Sequence, residues 1–207
     1  MSQEIDYYFT LISPYAYLGH DAFMAVAEKH GATVNFKPCV LGKVFEATGG
    51  LPLGKRAPAR QAYRWIELQR WREKRNLPLT LQPAYFPADP SLADTCVLAI
   101  LEAGGDPRGF MERTYRAVWA LDKDIADEHV VDGMLADAGH DAHAIVARAK
   151  SPEIAAVYQA NTDEAIAAGI VGAPGFVLHG EPFWGQDRIE LLDDALTSGR
   201  APYRPIA

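Results

Sequence analysis

The feature that most narrows the fold is a change of hydrophobic period, from that of a strand to that of a helix and back. Residues 4–10 place Ile5, Tyr7 and Phe9 on one side of an extended, aromatic-rich segment, which predicts a strand. Ser13-Pro14 follows, a capping hydroxyl directly before a proline suited to a first helical turn, and a helical pattern then runs to His30 before Gly31. Residues 33–40 alternate again at Val34 and Phe36, a second strand that Pro38 confines to its end or edge. The period then stays helical for more than a hundred residues, with helices expected over 60–76, 93–103, 107–121, 127–138, 141–150 and 151–168. From Gly172 the strand pattern returns: 175–179, a turn at Gly180-Glu181-Pro182, a short Phe183-Trp184, and a last helix from Asp187 to Ser198 closed by Gly199.

A strand–helix–strand opening and a strand–strand–helix ending form a single mixed sheet if the two ends of the chain meet in space. The expectation is an α/β chain with a discontinuous sheet domain, 1–42 and 170–207, and an all-helical domain, 43–169, inserted between its halves. No internal repeat is visible. Gly49 to Gly54 and the proline-rich Leu81 to Pro87 read as connections at that boundary, where substrate clefts commonly lie.

An apolar share of 49% is ample for a core, and 20 Lys and Arg against 27 Asp and Glu give a net charge of −7. An acidic whole repels phosphate backbones, so a nucleic-acid partner is not expected. No segment approaches the ~18 apolar residues of a membrane span, and the first residues lack a basic stretch followed by an apolar one. Cys39 and Cys96 are too far apart for a CxxC pair and too few for a disulfide framework or a cysteine-based zinc site. A cytoplasmic protein with reduced thiols is the resulting expectation.

Three places suit chemistry. Ser13 opens a helix, where unpaired N–H groups and the positive dipole end stabilise an anion. A thiol with an ordinary pKa near ~8.5 gains about 1.4–2.8 kcal/mol as its anion if such a terminus and one hydroxyl lower that pKa by one or two. Plain N-capping, contributing about 1 kcal/mol, is the alternative for Ser13. Ala173-Pro174, after Gly172 and before a strand, is a place where a cis bond can be held, which would turn the Ala173 N–H and C=O toward a peptide-like ligand. An ordinary trans turn is the other possibility. Gly185-Gln186-Asp187 starts the last helix, where backbone donors suit a carboxylate and Asp187 suits an ammonium group; Asp187 is otherwise simply a cap.

Taken together, Phe9-Thr-Leu-Ile-Ser13-Pro14-Tyr15-Ala16-Tyr17-Leu18, Gly172-Ala173-Pro174-Gly175-Phe176 and Phe183-Trp184-Gly185-Gln186-Asp187-Arg188 resemble the 2-hydroxychromene-2-carboxylate isomerase family. That family is related to kappa-class glutathione transferases and DsbA-like oxidoreductases, and the resemblance covers essentially the whole chain, including Leu41 to Gly49. It implies a thioredoxin fold with an inserted helical domain, glutathione as cofactor, a homodimer and a small aromatic acid as substrate. By motif, Ser13 corresponds to the catalytic serine beside the glutathione sulfur, Ala173 precedes the cis-proline Pro174, and Trp184, Gly185, Gln186 and Asp187 correspond to the segment holding the γ-glutamyl end. Where DsbA-like members carry CxxC this chain has Ser13-Pro14-Tyr15-Ala16, which excludes disulfide exchange there.

The resemblance implies a glutathione-dependent cis–trans isomerase of a 2-hydroxychromene-2-carboxylate-like acid in aromatic catabolism. In it the thiolate adds to a conjugated carbon, the bond rotates, and elimination regenerates the cofactor. A kappa-class-like transferase and a non-catalytic binding protein are the alternatives. Lys43, Gly50, Leu51 and Tyr85 are the candidate contacts to the second substrate. Family members commonly carry Lys where this chain has Glu46 and Asn where it has Gly50, so that substrate is open. Nearby Lys55, Arg56 and Arg60 suit an organic carboxylate.

Residues 55–75 hold eight Lys or Arg against two Glu, read as a solvated helix face. His140 and His143 are spaced as a pair on one helix face but lack a third ligand, so no metal is expected. His20 and His30 read as surface residues of the first helix, and Trp65, Trp71 and Trp119 as core or interface.

Overall fold

Alternation decides the first strand: in β1 (Glu4–Phe9) the side chains of Ile5, Tyr7 and Phe9 enter the main core, while Tyr8 joins a second cluster on the other face. The computed structural model describes residues 3–206. Met1, Ser2 and Ala207, which end the segments assigned to the sheet domain and include the start of the stretch read for an export signal, lie outside the described residues. β1 leads into α1 (Pro14–Lys29), then β2 (Thr33–Pro38), which pairs parallel to β1 with Tyr7 opposite Phe36.

Seven helices follow: α2 (Leu41–Thr48), α3 (Pro58–Arg75), α4 (Ser91–Glu102), α5 (Arg108–Trp119), α6 (Glu128–Asp137), α7 (Ala142–Ala149) and α8 (Pro152–Ala167). β3 (Gly175–Leu178), β4 (Glu181–Trp184) and α9 (Ile189–Ser198) complete the chain. β3 pairs antiparallel to β1 with Phe176 opposite Tyr7, giving the sheet order β2-β1-β3-β4. Both chain ends therefore meet in one mixed sheet with helices between them, the thioredoxin-like arrangement expected.

The hairpin corrects one boundary. Glu181 and Pro182 lie in β4 rather than in the turn, because His179 (φ 52°) and Gly180 (φ 77°) both adopt left-handed backbone and close the hairpin in two residues. Pro182 is tolerated because β4 is an edge strand.

The core is aromatic at its centre. Tyr7, Phe23 and Phe176 pack against one another with ring centroids 4.4 to 5.3 Å apart, Tyr7 stacked on Phe176 and Phe23 tilted against both, and full burial of each such ring contributes about 1.5–3 kcal/mol. His20 is buried here too, against the surface placement expected from sequence, with its ring 5.4 Å from Tyr115. The reason is periodic: Tyr17, His20 and Phe23 recur at helical spacing on the stripe of α1 that faces the sheet. Trp119 is wholly buried, and Trp65 and Trp71 pack half-buried against the same core. His140 and His143 do not share a helix face, since His140 lies in the turn before Asp141 caps α7. Among the described residues no group of three or more metal-capable side chains forms, and no helix is long and apolar enough to cross a membrane.

Candidate active site

The turn after β1 is held from both sides. Ser13 N–H donates to the Thr10 carbonyl at 3.1 Å, and Leu11 N–H donates to Asp94 Oδ1 on α4 at 2.8 Å. Ser13 then caps α1: its Oγ accepts from Ala16 N–H at 3.2 Å, and its carbonyl accepts from Tyr17 N–H at 3.0 Å. Pro14 has no N–H, so the Tyr15 amide is the first-turn donor left without a hydrogen-bond partner among the described residues.

β3 is entered through a cis Ala173–Pro174 bond. The Ala173 carbonyl accepts the Ser13 hydroxyl at 3.2 Å, across 160 residues of chain, and the Pro174 carbonyl accepts Gly185 N–H at 2.9 Å. The first and second candidate places are thus one place, with the third bonded to it. Gln186 is buried and receives Arg75 Nη2 on both its side-chain oxygen (3.2 Å) and its carbonyl (3.3 Å). α1 reaches this segment because residue 19 is glycine: a Cβ there would lie 2.6 Å from Gln186 Cβ. Asp187 does not cap α9; it sits in a short 3-10 turn, Gln186–Arg188, with its carboxylate 2.5 Å from Arg188 Nη1.

A cleft of about 680 Å³ opens beside Tyr15. Rings of Tyr15, Phe45, Tyr63 and Trp184 form its apolar walls, Gly50, Leu51 and Val171 border it, and Arg56, Arg60 and Arg64 supply cations. Gly50 is closed on by Phe45, whose Cδ1 would stand 2.4 Å from any Cβ, so the ring occupies the space that a larger residue at position 50 needs. Burial pushes the Tyr15 phenol up and the Arg64 guanidinium down from their ordinary values.

Of the residues assigned to the second substrate, Gly50 and Leu51 border this cleft, as do Arg56 and Arg60. Lys43 and Tyr85 are not among its lining residues, and Lys43 Nζ bonds Gln159 instead. Phe45, Tyr63 and Arg64 had no role from sequence; the signal that finds the last two is the i, i+3, i+4 stripe of Arg60, Tyr63, Arg64 and Glu67 on α3. The reading of 55–75 as a solvated face holds for Lys55, Arg60, Arg70 and Lys74, which are exposed, but not for Arg64, which is buried, or for Arg75, which holds Gln186. Burial pushes both cysteine thiols up to about 12, so neither supplies a thiolate.

A thioredoxin-like sheet whose first helix opens on a serine against a cis-proline segment, where no cysteine stands, defines a thioredoxin-fold protein without a disulfide-exchange centre at that position. The chain belongs to the family of the DSBA-like thioredoxin domain, whose pattern matches residues 4–197. It is 28% identical over 198 residues to a 2-hydroxychromene-2-carboxylate isomerase of Sphingobium xenophagum, spanning 95% of this chain and 99% of that protein. It is 26% identical over 204 residues to glutathione S-transferase kappa 1 of Caenorhabditis elegans, spanning 93% of this chain and 90% of the other. A solved structure of a 2-hydroxychromene-2-carboxylate isomerase superposes with a TM-score of 0.80 over 94% of this chain and 95% of that one, at 24% identity, which speaks to the fold.

Proposed function

We propose that this chain is a glutathione-dependent isomerase of a 2-hydroxychromene-2-carboxylate-like aromatic acid, a homodimeric cytoplasmic enzyme of aromatic catabolism. One observation carries the reading: the hydroxyl that caps α1 lies 3.2 Å from the carbonyl just ahead of Pro174, beside a ring-walled cationic cleft. Isomerase and glutathione-transferase relatives along nearly the whole chain support it.

The residues present fit the tripeptide. The Ser13 hydroxyl and the unpartnered Tyr15 amide suit a thiolate, the Ala173 backbone suits a cysteinyl peptide unit, and the half-exposed Asp187 carboxylate suits an ammonium group. Bound glutathione supplies a nucleophilic thiolate that can add to, and leave, a conjugated carbon. Ser13 holds one proton, directed here to Ala173; rotation about Cβ–Oγ redirects it to an anion at the start of α1, where it lowers the charge cost of the thiolate while Oγ keeps its place as the cap. The rings of Tyr15, Phe45 and Trp184 flank a planar acid, and the arginines hold its carboxylate. The sheet part, 1–42 and 170–207, then carries the thiol and the helical part, 43–169, carries most of the second-substrate wall.

Ser13→Ala tests this. The variant is expected to lose the ultraviolet absorbance of bound thiolate, with tenfold to hundredfold less anion at fixed pH, the size of one lost charge-assisted hydrogen bond of about 1.5–3 kcal/mol. Unchanged absorbance beside a lowered melting temperature would make Ser13 a cap alone. The kappa-class-like relative favours transfer as the second reading; it is separated by whether glutathione is consumed stoichiometrically.

A further inference from the structure

Arg64 is a charged side chain in the wrong surroundings for a free protein. It is only 5% exposed, yet it makes no hydrogen bond and no ion pair among the described residues, and its Nη1 is buried without a partner. Its guanidinium lies over the rings of Trp65 (5.1 Å) and Phe86 (5.4 Å), and Tyr15 is close enough to act on it electrostatically. The acidic residue one turn on cannot serve, because Glu67 is held by Arg70 at 2.7 Å and by Trp71 Nε1 at 3.2 Å. A second cation, Arg56, adds repulsion. Removing a guanidinium from water without an anion is costly, and stacking on rings offsets only part of that cost. At the edge of a cleft walled by aromatic side chains, the missing partner is most simply a ligand.

We infer that Arg64 is the carboxylate-recognising, specificity-determining residue of the cleft, completed by the carboxylate of an aromatic acid stacked against Tyr15. The inference rests on the reading of this cleft as a substrate site, and deepens it by naming the residue that selects an anion. Glutathione also carries carboxylates, so the source of the anion is part of the test. Arg60 and Arg56, which border the same cleft, contribute charge, but Arg64 alone is buried between rings and thus held in a fixed direction.

The experiment compares wild type with Arg64→Met, similar in length and suited to the ring-lined slot, and with Arg64→Lys. Binding is measured for 2-naphthoate against its neutral amide, and for glutathione against its glycyl ethyl ester. In wild type the acid is expected to bind at least about tenfold more tightly than the amide, and Arg64→Met to abolish that preference, the size of a charge-assisted pair. Arg64→Lys should recover part of it, since an ammonium keeps the charge and loses the fork. The melting temperature of free Arg64→Met should be equal to or above that of wild type, because an unpaired buried charge has been removed. Loss of discrimination between glutathione and its ester, rather than between acid and amide, moves the anion to the cofactor and overturns the assignment to the second substrate. Unchanged preference on both arms, with a lowered melting temperature, makes Arg64 a packing residue and overturns the inference. If glutathione fails to bind wild type while the acid preference stands and depends on Arg64, the carboxylate site holds and the glutathione reading falls.

Discussion

Two buried titratable side chains behind the site pull stability in opposite directions with pH. Asp94 accepts Leu11 N–H and the Tyr158 hydroxyl, both at 2.8 Å, and burial raises its carboxyl from 3.8 to about 7. The fold therefore favours its protonated form, and that contribution, present at low pH, is lost as pH rises through about 7. His20 is the reverse: burial lowers it from 6.5 to about 4, so its contribution is present above 6.5 and lost as pH falls through about 4. In Asp94→Asn the Asp94 part of the descending limb is removed, so between about 4 and 6.5 stability measured by denaturant unfolding should rise more steeply with pH than in wild type, by up to a few kcal/mol. A profile identical to wild type would show that Asp94 binds its proton equally in the folded and unfolded chain. Since Asp94 also holds the turn that leads to Ser13, the same variant reports whether the site loop depends on it.

Between elements, the contact that matters is the approach of α1 to the segment after β4. Gly19 permits it, with no room for a methyl group against Gln186 Cβ at 2.6 Å and its Cα at 3.4 Å. Gln186 is fixed from the other side by Arg75 of α3, so three elements meet on one buried amide. Gly19→Ala should lower stability by about 1–3 kcal/mol despite the better helix propensity of alanine, because overpacking outweighs it. On the proposal that Ser13 and Asp187 hold glutathione, it should also weaken that binding, by moving Asp187 relative to Ser13. Thermal unfolding and titration of the variant check both, and a stabilised variant with intact binding would mean that the turn gives way freely.

At the scale of the whole molecule, an acidic chain carries a cationic cleft. A net charge of −7 repels an organic anion at long range, while Arg56, Arg60 and Arg64 attract it at short range. The two effects predict opposite responses to salt, since exposed charges are screened beyond about 10 Å at ~0.1 M. Binding of 2-naphthoate should weaken as NaCl rises from about 0.05 to about 0.5 M while that of the amide holds; strengthening would mean that the overall charge governs. The element order was legible in the chain because strand alternation at Ile5, Tyr7 and Phe9, capping by Ser13 and Pro14, and the Gly199 stop are local signals. By itself the sequence determined the order of strands and helices, the helix that opens on Ser13 and the absence of a cysteine pair there, all properties of residues near one another in the chain. Only the tertiary structure decided that Ser13 and Ala173 touch across 160 residues, that His20 is core, that Lys43 and Tyr85 stand outside the cleft, and that Arg64 is a buried cation without an acid. Burial and pairing are set by which distant segments arrive beside a side chain, and neither residue type nor period encodes that arrival.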